Sequence, residues 1–203
     1  MRDFQIPKHV QPGLTVVIGF LGGFEHWNDP HRGVRKVALD LRERLPGIYV
    51  ETIENHHQDL AVKLLKRTKP GRIVLYGQSW GGAAVLYTAR DLKKLGWNVE
   101  LTVQVDSVGP HGTVVPSNVR AAANLYQRDP LTIVGAQEIR AEDPARTTII
   151  ENTRLTYLLR PYETLSKEDA SWARRTFGGS HAKMEVDEAV WAHVEDLILN
   201  ALR

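Results

Sequence analysis

The run from Ile73 to Leu86, Ile-Val-Leu-Tyr-Gly-Gln-Ser-Trp-Gly-Gly-Ala-Ala-Val-Leu, constrains the chain more than any other segment. Its first four residues, apolar and partly β-branched, read as a buried strand, and the Gly-Ala-Ala-Val-Leu at its end reads as a helix. Between them Ser79 stands two residues from Gly77 and two from Gly81. A chain passes from strand to helix over so few residues only through a sharp, strained turn, which side chains at 77 and 81 would crowd. Such a turn lifts the Ser79 hydroxyl clear of the sheet. It also aims the first free N–H groups of the helix at whatever the serine attacks. The five-residue pattern by itself also fits an ordinary glycine-rich turn; the strand before it and the helix after it make the reading specific.

The rest of the chain repeats the alternation. Short apolar runs at 14–18, 48–53, 72–76 and 99–105 read as strands, with later candidates at 131–134 and 147–150. Val34, Val37, Ala38, Leu41 and Leu45 recur at helical spacing until Pro46-Gly47, and Leu60, Ala61, Leu64 and Leu65 do so until Lys69-Pro70-Gly71. The segment 118–126 reads as a helix. Ser166-Lys167-Glu168-Asp169 reads as a capping box opening a short helix to about Thr176. Asp187 caps a last helix with the apolar stripe Val190, Val194, Leu197, Ile198 and Leu202. Strands alternating with helices predict an α/β fold: a mostly parallel sheet with helices on both faces, in one domain over 1–203. Sheets of this kind carry their sites at the carboxyl ends of the strands. Ser79, Asp106 and the glycine loop Gly19-Phe20-Leu21-Gly22-Gly23 all fall on that edge.

Composition removes several classes of function. The 26 basic and 24 acidic residues leave a net charge of +2, too little to predict a nucleic-acid partner. Lys63, Lys66, Arg67 and Lys69 cluster where a helix should end, which suits a solvated C-terminus. With no cysteine there is no disulfide, thiolate nucleophile or cysteine metal site. The first residues lack the apolar stretch of a signal peptide, and no run is long enough to span a membrane, so a cytoplasmic location is expected. No metal site is expected: His56 and His57 are adjacent and should diverge on a helix or strand, and no HExxH run occurs. The loop after the first strand lacks the GxGxxG phosphate cradle, so no nucleotide cofactor is expected either. Nothing in the sequence sets an oligomeric state.

A serine becomes a nucleophile when a base takes its proton, and that base is usually a histidine oriented by a carboxylate. Chain order in folds with this turn runs Ser, acid, His. His9, His26, His31, His56 and His57 precede Ser79, His111 lies five residues past Asp106, and His193 falls inside the last helix. His181, in Phe177-Gly178-Gly179-Ser180-His181, is expected in a flexible loop before that helix and is the candidate base. Asp106, directly ending a strand, is the first candidate for the acid, with Asp129, Glu138 and Asp143 as rivals. An oxyanion would be met by the Trp80 N–H and by one from the 19–22 loop, at Phe20 or Leu21. Phe24 and Trp27 are candidates for the substrate pocket, though aromatic side chains serve packing equally well.

On these residues the chain resembles the α/β-hydrolase superfamily, and within it small bacterial serine hydrolases of the esterase and lipase type. The resemblance rests on Gly19 to Gly23, the turn at Ser79, Asp106 within Asp106-Ser107-Val108-Gly109-Pro110, and His181 before the last helix; the stretch from Val115 to Gln127 is also similar to a subgroup with uncharacterised substrates. Two positions depart from the pattern. Ile18 stands where many members carry histidine, and the acid follows an earlier strand than is usual. The resemblance implies a minimal α/β-hydrolase without a full cap domain that cleaves small carboxylic esters with short or medium acyl chains. It would use Ser79, His181 and Asp106, an acyl-enzyme intermediate and no cofactor. A thioesterase or acyltransferase with the same triad is the alternative within enzymes, and a non-catalytic binding module is the alternative outside them. The stretch 152–180, with Leu155, Tyr157, Leu158, Leu159, Tyr162, Leu165, Trp172 and Phe177, either forms a small lid or completes the core.

Overall fold

The computed structural model describes residues 12–129, 135, 137–165 and 179–203. Six strands form one sheet: β1 (Thr15–Leu21), β2 (Tyr49–Glu54), β3 (Arg72–Gln78), β4 (Val99–Val105), β6 (Val119–Gln127) and β8 (Thr148–Leu155). Their order is β2-β1-β3-β4-β6-β8, and every neighbouring pair is parallel. β5 (Val114–Val115) and β7 (Arg140–Ala141) pair separately beside it. The described helices are α1 (Gly33–Arg44), α2 (Gln58–Thr68), α3 (Trp80–Lys94), α4 (Gly179–Val186) and α5 (Glu188–Leu202).

Alternation along each strand sends side chains to opposite faces, and both faces are covered. In β1, Val17 and Leu21 join a core with Val34, Val37 and Leu41 of α1 and Val190, Val194 and Ile198 of α5. Val16, Ile18 and Phe20 join a second core with Leu64 and Leu65 of α2 and Leu86 and Leu92 of α3. Strands buried on both sides are apolar almost throughout, which is why the inner strands were readable as short continuous runs. The helix ends follow expected chemistry. Lys69 adopts a left-handed conformation (φ 46°) at the C-cap of α2, and Asp187 Oδ1 accepts the Ala189 N–H at the start of α5. Among the described residues no helix is long and apolar enough to cross a membrane.

Three expectations change. Residues 118–126 are not a helix; Val119–Gln127 is strand β6, hydrogen-bonded between β4 and β8. Its alanines favour a helix by only a few tenths of a kcal/mol each. That preference loses to two ladders and to burial on both faces: Ala121, Ala123 and Leu125 enter one core and Ala122 the other. The first strand also extends beyond Ile18, to Leu21, so the loop proper begins at Gly22. The strand expected at 147–150 is longer, Thr148–Leu155. The strand candidate at 131–134 and the helix expected from Ser166 lie outside the described residues.

In the proposed lid segment, Tyr157, Tyr162 and Leu165 are buried, and Tyr157 Oη donates to Asp187 Oδ2. These residues complete the core. Leu158 and Leu159 are exposed, and Trp172 and Phe177 lie outside the described residues.

The β6 assignment has a direct test. Ala122 is fully buried, so Ala122→Leu should overpack the core and cost about 1–3 kcal/mol in urea unfolding. On the exposed face of a helix the same change costs only a few tenths.

Candidate active site

β3 passes into α3 at Ser79, whose backbone stands at φ 55°, ψ −125°. For a residue with a Cβ this is a sparsely populated, strained conformation. The surroundings enforce it. Ser79 N donates to the Val105 carbonyl (3.0 Å), and the Ser79 carbonyl accepts from Val108 N (2.9 Å) and Gly82 N (3.0 Å). The flanking glycines meet the expectation made for them. A Cβ at Gly81 would lie 2.1 Å from the Phe20 carbonyl oxygen, and one at Gly77 2.5 Å from the Gly81 oxygen. Trp80 is the first residue of α3, so its N–H has no partner within the helix.

β4, beside β3, ends at Val105 and is followed directly by Asp106, which is fully buried with φ 42°. The neighbouring strand β6 supplies its support: Gln127 N donates to Asp106 Oδ1 (3.3 Å) and Gln127 Nε2 to Oδ2 (2.9 Å). His181 reaches the same carboxylate. Its Nδ1 is 2.6 Å from Asp106 Oδ2, and its Nε2 is 3.0 Å from Ser79 Oγ. An ionised carboxylate only accepts, so the proton sits on Nδ1 and is donated to Asp106. Nε2 is then the acceptor for the Ser79 hydroxyl. Gln78 Nε2 lies 3.4 Å from the same ring nitrogen. The structure therefore brings together Ser79, Asp106 and His181, which lie 27 and 75 residues apart in sequence, on one sheet edge.

His181 is not in a loop. It occupies the first turn of α4, and that helix is fixed from both sides. On one side Asp129 Oδ2 accepts from Ser180 Oγ (2.6 Å) and Tyr157 N (2.7 Å), while its Oδ1 accepts from Thr156 Oγ1 (2.9 Å). Burial works against the Asp129 charge, but the bonds from Ser180, Tyr157 and Thr156 outweigh it and hold the carboxyl below its ordinary range. On the other side Glu185, one turn after His181, meets Arg32 and Glu25 of the β1–α1 loop.

The rival acids have other employment. Asp129 holds the residue next to His181 rather than His181 itself. Asp143 accepts from Ala145 N in a turn (3.0 Å), and Glu138 is exposed. Phe20 and Leu21 are the last two residues of β1, with buried side chains and carbonyls packed on Gly81. Gly22 N, next along, already donates to Glu25 Oε2 (2.8 Å). Phe24 is 95% exposed and its ring stands 5.6 Å from that of Trp80, forming an aromatic rim beside Ser79. Trp27 instead packs on the core under the Arg35 guanidinium, 5.3 Å from its ring centroid.

The adjacent histidines do not diverge as expected. On the turn after β2, His56 Nε2 and His57 Nε2 lie 3.5 and 3.7 Å from Glu54 Oε2, with the two rings 4.1 Å apart. A turn imposes neither helical nor strand periodicity, so neighbouring side chains are free to converge. Both imidazoles face solvent, 64% and 44% exposed. Sequence reasoning missed Gln127, Glu25, Arg32 and Glu185, and named Asp129 only as a rival for the acid. Gln127 ends strand β6, a position the helix reading of 118–126 hid.

No protein-family profile matches this chain, and no curated protein matches it in sequence. Solved structures do. The NocB thioesterase domain, seen in covalent complex with a fluorophosphonate nocardicin G analog, matches with a TM-score of 0.50 and 14% identity, over 96% of each chain. A cutinase-like protein from Cryptococcus sp. matches with a TM-score of 0.49 and 14% identity, over 93% of this chain and 95% of that one. The shared feature is the fold: this chain has the α/β-hydrolase fold, with a parallel six-stranded sheet between two layers of helices.

The depressed Asp129 carboxyl makes a signed prediction. Its folded value lies below its unfolded one, so its contribution is present above about pH 4 and is lost as pH falls through the folded value. Asp129→Asn should therefore lower the Tm at pH 7 and flatten its acid decline, as read by thermal unfolding from pH 3 to 7. A decline as steep as the wild type's would assign the acid lability to other carboxylates.

Proposed function

We propose that the protein is a serine hydrolase that cleaves small carboxylic esters through an acyl-enzyme intermediate. One observation carries the reading: a single imidazole bridges Asp106 and Ser79 at 2.6 and 3.0 Å, with the protonation pattern that a general base needs. Ser79 Oγ attacks the acyl carbon while its proton moves to His181 Nε2. Asp106 accepts from Nδ1 and stabilises the imidazolium that forms. The carbonyl oxygen becomes an oxyanion, met by the Trp80 N–H and an N–H at the end of β1, in Phe20 or Leu21. Collapse breaks the bond to the alcohol oxygen, which takes the proton from His181. Water, deprotonated by the same nitrogen, then attacks the acyl-enzyme and frees the acid and Ser79.

The strained Ser79 backbone supports this role, since strain of this kind persists where the site needs it. The structural neighbour captured with a fluorophosphonate is a thioesterase domain. That favours thioesters as the second reading, with identical chemistry at Ser79. The aromatic rim of Phe24 and Trp80 gives an acyl or alcohol group an apolar surface beside the nucleophile.

Ser79→Ala should abolish fluorophosphonate labelling and lower ester turnover by several orders of magnitude, with far-UV circular dichroism unchanged. Asp106→Asn should lower kcat by about 10⁴, because the amide favours the wrong tautomer of His181. Persistent labelling of the Ser79→Ala protein refutes the assignment.

Substrate size is read from nitrophenyl esters of increasing chain length. An apolar pocket gains about 0.8 kcal/mol per buried methylene until it is full. So kcat/KM should climb over the first few carbons and then flatten or fall. A steady climb to sixteen carbons contradicts the short-acyl reading. A matched thioester cleaved at least tenfold faster selects the thioesterase.

A further inference from the structure

Glu25 and Glu185 lie outside the triad, yet they join the loop after β1 to the helix that carries His181. Glu25 sits in the loop after β1, and its Oε2 accepts the Gly22 N–H at 2.8 Å, where the chain leaves the expected oxyanion strand. Glu185 lies four residues after His181 on α4, the spacing that places both side chains on one helix face. The two carboxyl groups meet at a single guanidinium nitrogen: Arg32 Nη1 is 3.1 Å from Glu25 Oε1 and 3.0 Å from Glu185 Oε1. Both side chains are less than a tenth exposed. The two carboxyl groups also bear on each other's ionisation, each acting on the other beside the shared guanidinium. Two buried carboxylates drawn to one cation repel each other unless one of them keeps its proton.

We infer that Glu25 and Glu185 are positioning residues, a proton-sharing carboxyl pair that clamps the loop at Gly22 to the helix carrying His181 and sets an alkaline limit on activity. The inference rests on the serine-hydrolase reading above. With the proton present, the pair and Arg32 hold the end of β1 and α4 in fixed relation, so the oxyanion donors and the base stay aligned on Ser79. Once the proton is lost, the pair becomes two buried like charges, and the clamp loosens.

Other charges also bear on the pair. Arg32 favours ionisation of both carboxyls but is itself shared with Asp29 (2.9 Å), and His181 acts on Glu185 from the same helix. Burial is the largest influence on Glu25. Together with the Glu185 charge it outweighs Arg32 and the Gly22 N–H, and it pushes the Glu25 carboxyl up to about 8. Burial likewise raises Glu185. The sign for stability follows. Between about pH 4 and pH 8 the folded protein keeps a proton that the unfolded chain has released, so this contribution is complete in acid and is lost as pH rises toward 8.

Glu25→Gln replaces the carboxyl with an amide that does not ionise: its oxygen keeps the Gly22 N–H, and its nitrogen is turned to Glu185 at the expense of the contact with Arg32 Nη1. Rates of fluorophosphonate labelling and ester kcat/KM should be followed from pH 6 to 10. The wild type should lose at least fivefold above pH 8. Glu25→Gln should stay within about twofold of the wild type at pH 7 and show no such fall. Glu185→Gln removes the like charge and should abolish the fall as well. Thermal unfolding of the Glu25→Gln protein should decline less between pH 5 and 8. If both variants keep the wild-type alkaline fall, the inference is overturned. If Ser79→Ala is still labelled, the serine-hydrolase reading itself has failed, and the two failures are told apart by that single control.

Discussion

The site depends on one strained residue. Ser79 holds φ 55° because its N–H is fixed to the Val105 carbonyl and its carbonyl to Val108 and Gly82, while Gly77 and Gly81 allow the backbones of β3, α3 and β1 to close in. Each of these contacts reaches a different element. The turn therefore does more than expose a hydroxyl. It also fixes the end of β1 against the first turn of α3, where the Phe20 and Leu21 carbonyls pack on Gly81. Strain at Ser79 is tolerated because three elements determine it together.

The second layer is made of carboxylates with separate tasks. Asp106 orients His181 and is itself held by Gln127 from the next strand. Asp129 holds Ser180, and Glu185 holds the opposite end of the same short helix through Arg32 and Glu25. α4 has only eight residues, too few to be a stable helix by its own hydrogen bonds. Its position is set by these polar anchors and by Met184 in the core. If His181 is the base proposed above, so short an element needs this external support, since a displacement of about 1 Å costs a catalytic geometry much of its rate.

Much of this was legible from residues alone. The strands β1 to β4 and helices α1 to α3 showed because burial on two faces demands apolar runs and a stripe on one face demands helical spacing. The turn at Ser79 showed because glycines at 77 and 81 have a mechanical purpose. β6 was misread because Ala-Ala-Ala has a local preference for helix that says nothing about the two strands beside it. His56 and His57 were misread because periodicity was applied where the chain turns. Glu25, Arg32 and Glu185 carried no signal at all. Charged residues more than 150 positions apart look like solvated surface until the fold buries them together.

The sequence by itself determined the alternation of strand and helix, the strained serine turn, and the order Ser79, Asp106, His181. Local sterics and hydrophobic period are written in short stretches of chain. The tertiary structure decided which carboxylate meets the imidazole, because Asp106 and Asp129 both follow the carboxyl ends of neighbouring strands and only sheet order and the seat of α4 distinguish them. It also decided that His181 stands on a helix, that Trp27 belongs to the core while Phe24 faces solvent, and that Glu25 and Glu185 meet at one arginine. These facts depend on distance and dielectric environment, and both exist only once the chain has folded.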